Sequence, residues 1–127
     1  MTDRPVLQPS ASHPITVAAN PDRVVVTVAG RVVADTRQAV TLREAAYPPV
    51  QYVPLADVDV SLLERTGTAS YCPFKGDAGY YSIPVGGTRS VDAVWVYEEP
   101  YPAVAEIKDH VAFYPDRVDS IEVTPAG

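Results

Sequence analysis

The sequence predicts a mainly β, single-domain fold, on three observations. Residues 23–29 and 31–36 are dense in β-branched side chains on either side of Gly30. Val91, Ala93, Trp95 and Tyr97 alternate with a period of two, as in a half-buried strand. Prolines and glycines break up residues 47–54 and 71–81, so no long helix can run through them. The chain of 127 residues fits one domain of the usual ~100–150 residues.

Residues 1–13 carry Pro and Ser without periodicity and are expected to form a flexible tail, with a single domain at 14–124 and a short tail at 125–127. Residues 23–29 and 31–36 make the most secure hairpin, turning at Gly30. Residues 39–45 fit two patterns: Thr41 and Glu44 have capping-box spacing, while Val40 and Leu42 alternate, and the strand is preferred. Three prolines in residues 47–54 leave room for a short edge strand at most. Ser61 and Glu64 bracket Leu62 and Leu63 like a capping box, predicting a one- or two-turn helix that Gly67 stops. Residues 71–81 read as turn-rich, followed by a strand through Ile83, a hairpin turn at Gly86-Gly87 and the Trp95 strand. Pro100 and Pro102 open a short segment to Lys108, and strands close the chain at 111–114 and 120–123.

A hydrophobic share of 46% and a charged share of 20% match soluble globular proteins, and no apolar run is long enough to span a bilayer. No membrane partner is expected, and a cytoplasmic location follows as the default. The net charge of −6 and the scatter of the ten basic residues speak against nucleic-acid binding, which needs clustered Lys and Arg. One cysteine excludes an internal disulfide, and with only two histidines beside it no zinc motif can be completed, so neither metal nor cofactor is expected.

Chemistry is densest at Tyr71-Cys-Pro-Phe-Lys-Gly-Asp-Ala-Gly-Tyr-Tyr81. Lys75 three residues after Cys72 would lower the thiol pKa if the turn folds it back, which makes Cys72 a weak candidate nucleophile against the bland reading of a buried apolar residue. Lys75 also suits a binding anchor, its ammonium holding a carboxylate or phosphate between walls supplied by Tyr80 and Trp95. Glu44 shares a face with Val40 and Leu42, which would bury a carboxylate, and Tyr52 adds one of more phenols than a small dry core holds easily. Asp57 and Asp59 sit where a helix cap explains them better than a metal. Glu106 and His110 read as surface residues, and His13 falls in the tail.

Taken together, Val-Ala-Asp-Thr at 33–36, Leu42 with Glu44, Tyr52-Val-Pro54 with Asp57-Val58, Cys-Pro-Phe-Lys-Gly at 72–76, Tyr80-Tyr81, Trp95-Val-Tyr97 with Pro100, and Ala-Phe-Tyr at 112–114 resemble the bacterial and fungal family catalogued as domain of unknown function 427. Some collections label that family nucleotidyltransferase-like. The resemblance covers roughly Arg23 to Val123. It implies a β-tent-like fold, two small antiparallel sheets meeting at an angle with one or two short helical turns, as in methionine sulfoxide reductase B and the ligand-binding domain of cereblon. Many proteins of that fold carry a four-cysteine zinc site, which one cysteine cannot supply. The nucleotidyltransferase label finds no paired catalytic carboxylates and no phosphate loop in these residues.

The leading expectation is a domain that binds a small polar or anionic molecule in a pocket between the two sheets, lined by Lys75, Glu44, Tyr52, Tyr80 and Trp95. The alternatives are an enzyme using the Cys72 and Lys75 region and a protein-interaction module working through a strand edge or aromatic patch.

Overall fold

The structure, a computed structural model, describes residues 4–126; the outermost parts of the two expected tails, residues 1–3 and 127, lie outside the described residues. Ten strands are formed among the described residues: β1 (Ile15–Asn20), β2 (Arg23–Val28), β3 (Arg31–Thr36), β4 (Ala39–Glu44), β5 (Val50–Pro54), β6 (Glu64–Cys72), β7 (Gly76–Ser82), β8 (Val94–Val96), β9 (His110–Phe113) and β10 (Ser120–Thr124). They build two antiparallel sheets, as expected. The larger has the order β1-β4-β5-β9-β8-β7-β6 and the smaller the order β10-β2-β3. Helical structure is confined to short 3-10 segments, at Leu55–Asp57, Val60–Leu62, Pro84–Ser90, Pro102–Ile107 and Pro115–Arg117. No helix among the described residues is long and apolar enough to cross a membrane.

Alternation sorts the strand side chains into two cores. On β2, Val24, Val26 and Val28 are buried, while Val25 and Thr27 between them are partly exposed. They meet Val53, Val94, Val96, Val111 and Phe113 of the large sheet, closing one core between the sheets. Each fully buried valine there contributes about 1.5–3 kcal/mol. The residues in between, Tyr52, Ala112 and Trp95, point to the opposite face of the large sheet and join a second core with Leu42, Tyr97, Val104 and Ile107. The 3-10 segment Pro102–Ile107 buries Val104 and Ile107 and so covers part of that face.

The β2–β3 hairpin turns through Ala29 (φ 51°) and Gly30 (φ 75°), and Val28 pairs with Arg31. Positive φ at both central residues is the tight turn whose twist suits a two-residue hairpin.

Several local expectations are corrected. β5 is an interior strand between β4 and β9: Pro48 and Pro49 precede it, and its one proline, Pro54, stands at its last position, opposite His110. The helix expected after Ser61 stops at Leu62, where Asp59 accepts from the Ser61 N–H, and the chain then extends as β6. The expected turn at Gly86-Gly87 is a longer connection, two 3-10 turns kinked at Gly87 (φ 67°). β1 was not foreseen at all. It pairs with β4 from Ile15 opposite Glu44 to Asn20 opposite Ala39.

Residues 4–13 run against the β6–β7 hairpin. The Leu7 N–H donates to Pro73 O (2.9 Å), the Tyr71 hydroxyl donates to Pro5 O (2.6 Å), and Arg4 pairs with Asp77.

Candidate functional site

The β6–β7 turn places the first functional side chain. The Lys75 N–H donates to Cys72 O (3.2 Å), closing a tight turn, and Gly76 follows at φ 107°. A Cβ at Gly76 would stand 3.3 Å from Glu99 O, in a backbone region that side-chain-bearing residues avoid. Tyr101 N–H to Lys75 O (3.0 Å) and Leu7 N–H to Pro73 O fix the turn from two sides. Lys75 is thereby folded inward and is only 8% exposed.

Its ammonium donates to Glu44 Oε1, at the end of β4. The second Glu44 oxygen accepts from His13 Nε2 (2.8 Å), and the His13 ring stacks on Phe74 at 4.3 Å and 7°. Burial pushes the Glu44 carboxyl up, but the hydrogen bonds from Lys75 and His13 outweigh it, and the group is held below its ordinary value. Glu44 is therefore the carboxylate of a shielded ion pair, with both oxygens engaged. Lys75 Nζ also lies 3.7 Å from Cys72 Sγ.

The aromatic walls come from the large sheet. Tyr80 of β7 pairs with Trp95 of β8, and Trp95 with Ala112 of β9. Tyr52 of β5 is 1% exposed and accepts from Trp95 Nε1 (3.1 Å), with the two rings edge to face. Tyr114 lies against Trp95 at 4.5 Å between ring centres. The Tyr80 hydroxyl shares a 2.7 Å hydrogen bond with Ser70 Oγ. Burial raises the Tyr52 and Tyr97 phenols well above the usual tyrosine value, and burial with the neighbouring Tyr80 takes Tyr114 up to about 12. All three stay neutral hydrogen-bonding groups at physiological pH.

These elements enclose a cavity of about 210 Å³. Lys75, Glu44, Tyr52, Tyr80 and Trp95 all line it, although they come from four strands and a turn. Sequence reasoning missed three further lining tyrosines, Tyr47, Tyr97 and Tyr114, and placed His13 in the tail although it buttresses Glu44. The Ala-Phe-Tyr stretch at 112–114 and the alternation ending at Tyr97 were the signals that could have found two of the tyrosines. Cys72 is half-buried and does not line the cavity.

The cavity's position corrects one expectation. No residue of β2, β3 or β10 borders it, because the polar and aromatic side chains that line it emerge on the face of the large sheet opposite the one that packs on the β2 valines. What does open between the sheets is a separate, mostly apolar groove of about 1,040 Å³, bordered by Val53, Phe113, Ile121 and Val123 among others. The two spaces share Glu44, Tyr47, Pro48, Val50 and Trp95 on their walls.

The remaining candidates stay apart. Asp57 accepts from Thr36 Oγ1 (2.6 Å), Asp59 accepts from Ser61, Glu106 is exposed, and His110 Nδ1 bonds Lys108 O (2.7 Å). The Asp pair is thus spent on hydrogen bonds to Thr36 and Ser61.

The family model for a domain of unknown function, DUF427, matches residues 16–124. No curated protein matches the chain.

Proposed function

This chain belongs to the DUF427 family, and from that premise we propose that it binds a small molecule through an oxygen acceptor, a carboxylate or carbonyl, held by Lys75 in the aromatic cavity. The observation that carries this reading is the shielded Lys75–Glu44 pair at a cavity walled by Tyr52, Tyr80 and Trp95. Burying a charge costs several kcal/mol, which packing alone does not require at the mouth of an open space. An ammonium has three protons, and Glu44 takes one while the Cys72 sulfur is a weak, distant acceptor. The cavity falls below the ~300–1,000 Å³ of sites for drug-sized ligands, so the part of the ligand held here is small.

Thermal shift and calorimetric titration with short carboxylates and their primary amides, on wild type and Lys75→Met, test the reading. Saturable binding that Lys75→Met abolishes supports it, since a ligand of the folded state must raise apparent stability. Absence of any binding would shift weight to a protein-interaction role.

One distance favours a second reading, an enzyme with Cys72 as nucleophile: the 3.7 Å between Lys75 Nζ and Cys72 Sγ. Against it, Cys72 is not among the residues that line the cavity. Rapid alkylation of Cys72 in the native protein at neutral pH would revive it.

A further inference from the structure

We infer that the cavity and the groove together accept one amphipathic acyl compound, its oxygen head on Lys75 and its hydrocarbon chain laid along the groove between the sheets. This rests on the reading of Lys75 as a ligand anchor and names the class of ligand.

Four observations carry it. The cavity alone is small, whereas the adjoining groove of about 1,040 Å³ is walled largely by Val, Phe, Ile and Pro side chains. Glu44, Tyr47, Pro48, Val50 and Trp95 border both spaces, and it is past these side chains that the chain of the inferred ligand would run from the cavity to the groove. The charges along the groove leave only one end for an anionic or polar head. The charged side chains bordering the groove are both carboxylates, Asp119, which accepts from the Ala29 N–H (2.7 Å) and pairs with Arg89, and Glu44, which accepts from Lys75, so among the described residues lining the two spaces Lys75 is the cation left to take the head. Val123 at the rim is 46% exposed and Tyr47 is 67% exposed, apolar surface that a chain would cover.

The test is calorimetric titration of the full chain with butanoate, hexanoate and octanoate. Burying a methylene is worth about a fourfold gain in affinity, so each pair of added carbons should tighten binding by roughly fifteenfold. Val123→Asp, which sets a charge at the groove rim, should flatten that dependence, and Lys75→Met should weaken all three acids. A flat series, in which butanoate binds and loses its affinity in Lys75→Met, overturns the inference and leaves the cavity reading standing. Chain-length dependence that Lys75→Met leaves untouched also overturns it, since head and chain would then bind apart. If neither acids nor amides bind at any length, the cavity reading itself falls and takes this inference with it.

Discussion

Replacing Lys75 by Met tests the ion pair at the centre of the site. Lys75 and Glu44 keep only 10% and 15% of their side-chain surface in contact with water, so removing the ammonium strands a nearly buried carboxylate. Breaking a fully buried pair from one side costs roughly 3–5 kcal/mol. His13 still donates to the other Glu44 oxygen, which lowers the expected loss to about 2–3 kcal/mol. For a chain of this size that is a fall in Tm of about 6–12 °C. Glu44→Gln keeps an acceptor for the ammonium and should cost less. The double variant, with no charge left to strand, should be more stable than the sum of the two losses by about 1–3 kcal/mol. Urea unfolding of the four proteins, followed by the fluorescence of the single tryptophan, closes the cycle. Additivity within ~0.5 kcal/mol would refute the argument, because it would mean that the two groups do not sense each other.

Other consequences follow from the same contacts. Because Glu44 titrates lower folded than unfolded, its contribution is present above its unfolded value of 4.5 and fades as pH falls through the lower folded one; the stability gap between wild type and Glu44→Gln should therefore narrow on acidification below that value. Gly76→Ala, forced to φ 107° against Glu99 O, should cost about 1–3 kcal/mol and weaken any Lys75-dependent binding, read by the same unfolding and titration experiments. Trp95→Phe leaves the buried Tyr52 hydroxyl without its donor and should cost about 1–3 kcal/mol beyond the packing change, an excess that Trp95→Phe combined with Tyr52→Phe should largely recover. Cys72→Ser should leave carboxylate binding unchanged, since the thiol does not line the cavity; a loss of binding would return Cys72 to the site.

The sequence was most readable where local chemistry and tertiary need coincide. Val24, Val26 and Val28 announce a strand by alternation, and Ala29-Gly30 closes it by a turn the backbone can make nowhere else so readily. Cys72 to Gly76 reads as a turn for the same reason, and with it came Lys75. β6 was hidden because Glu64 to Ser70 has no buried face to create a pattern; it is an outer strand held by its ladder to β7. β1 was hidden because only Ile15 and Val17 carry its alternation, too few to outweigh the prolines before them. The five lining residues were proposed together from residue chemistry and from resemblance. Their position on the outer face of the large sheet depended on register, since Val53 and Tyr52 are neighbours in sequence and face opposite cores. His13 escaped because its partners, Glu44 and Phe74, are far away along the chain.

The pairing of β5 makes the large sheet two plates on a narrow joint. Three residue pairs tie β5 to β4, from Val40 opposite Tyr52 to Leu42 opposite Val50, but only Val53–Val111 and Pro54–His110 tie it to β9. Pro54 has no N–H to give, so the joint relies on the burial of Val53 and Val111 more than on its ladder. Glu44 rides on one plate and Lys75 on the other, and the same is true of Tyr52 and Trp95. Their two hydrogen bonds are clasps across the seam. Without either clasp, the seam would be left to the two β5–β9 pairs and the burial of Val53 and Val111.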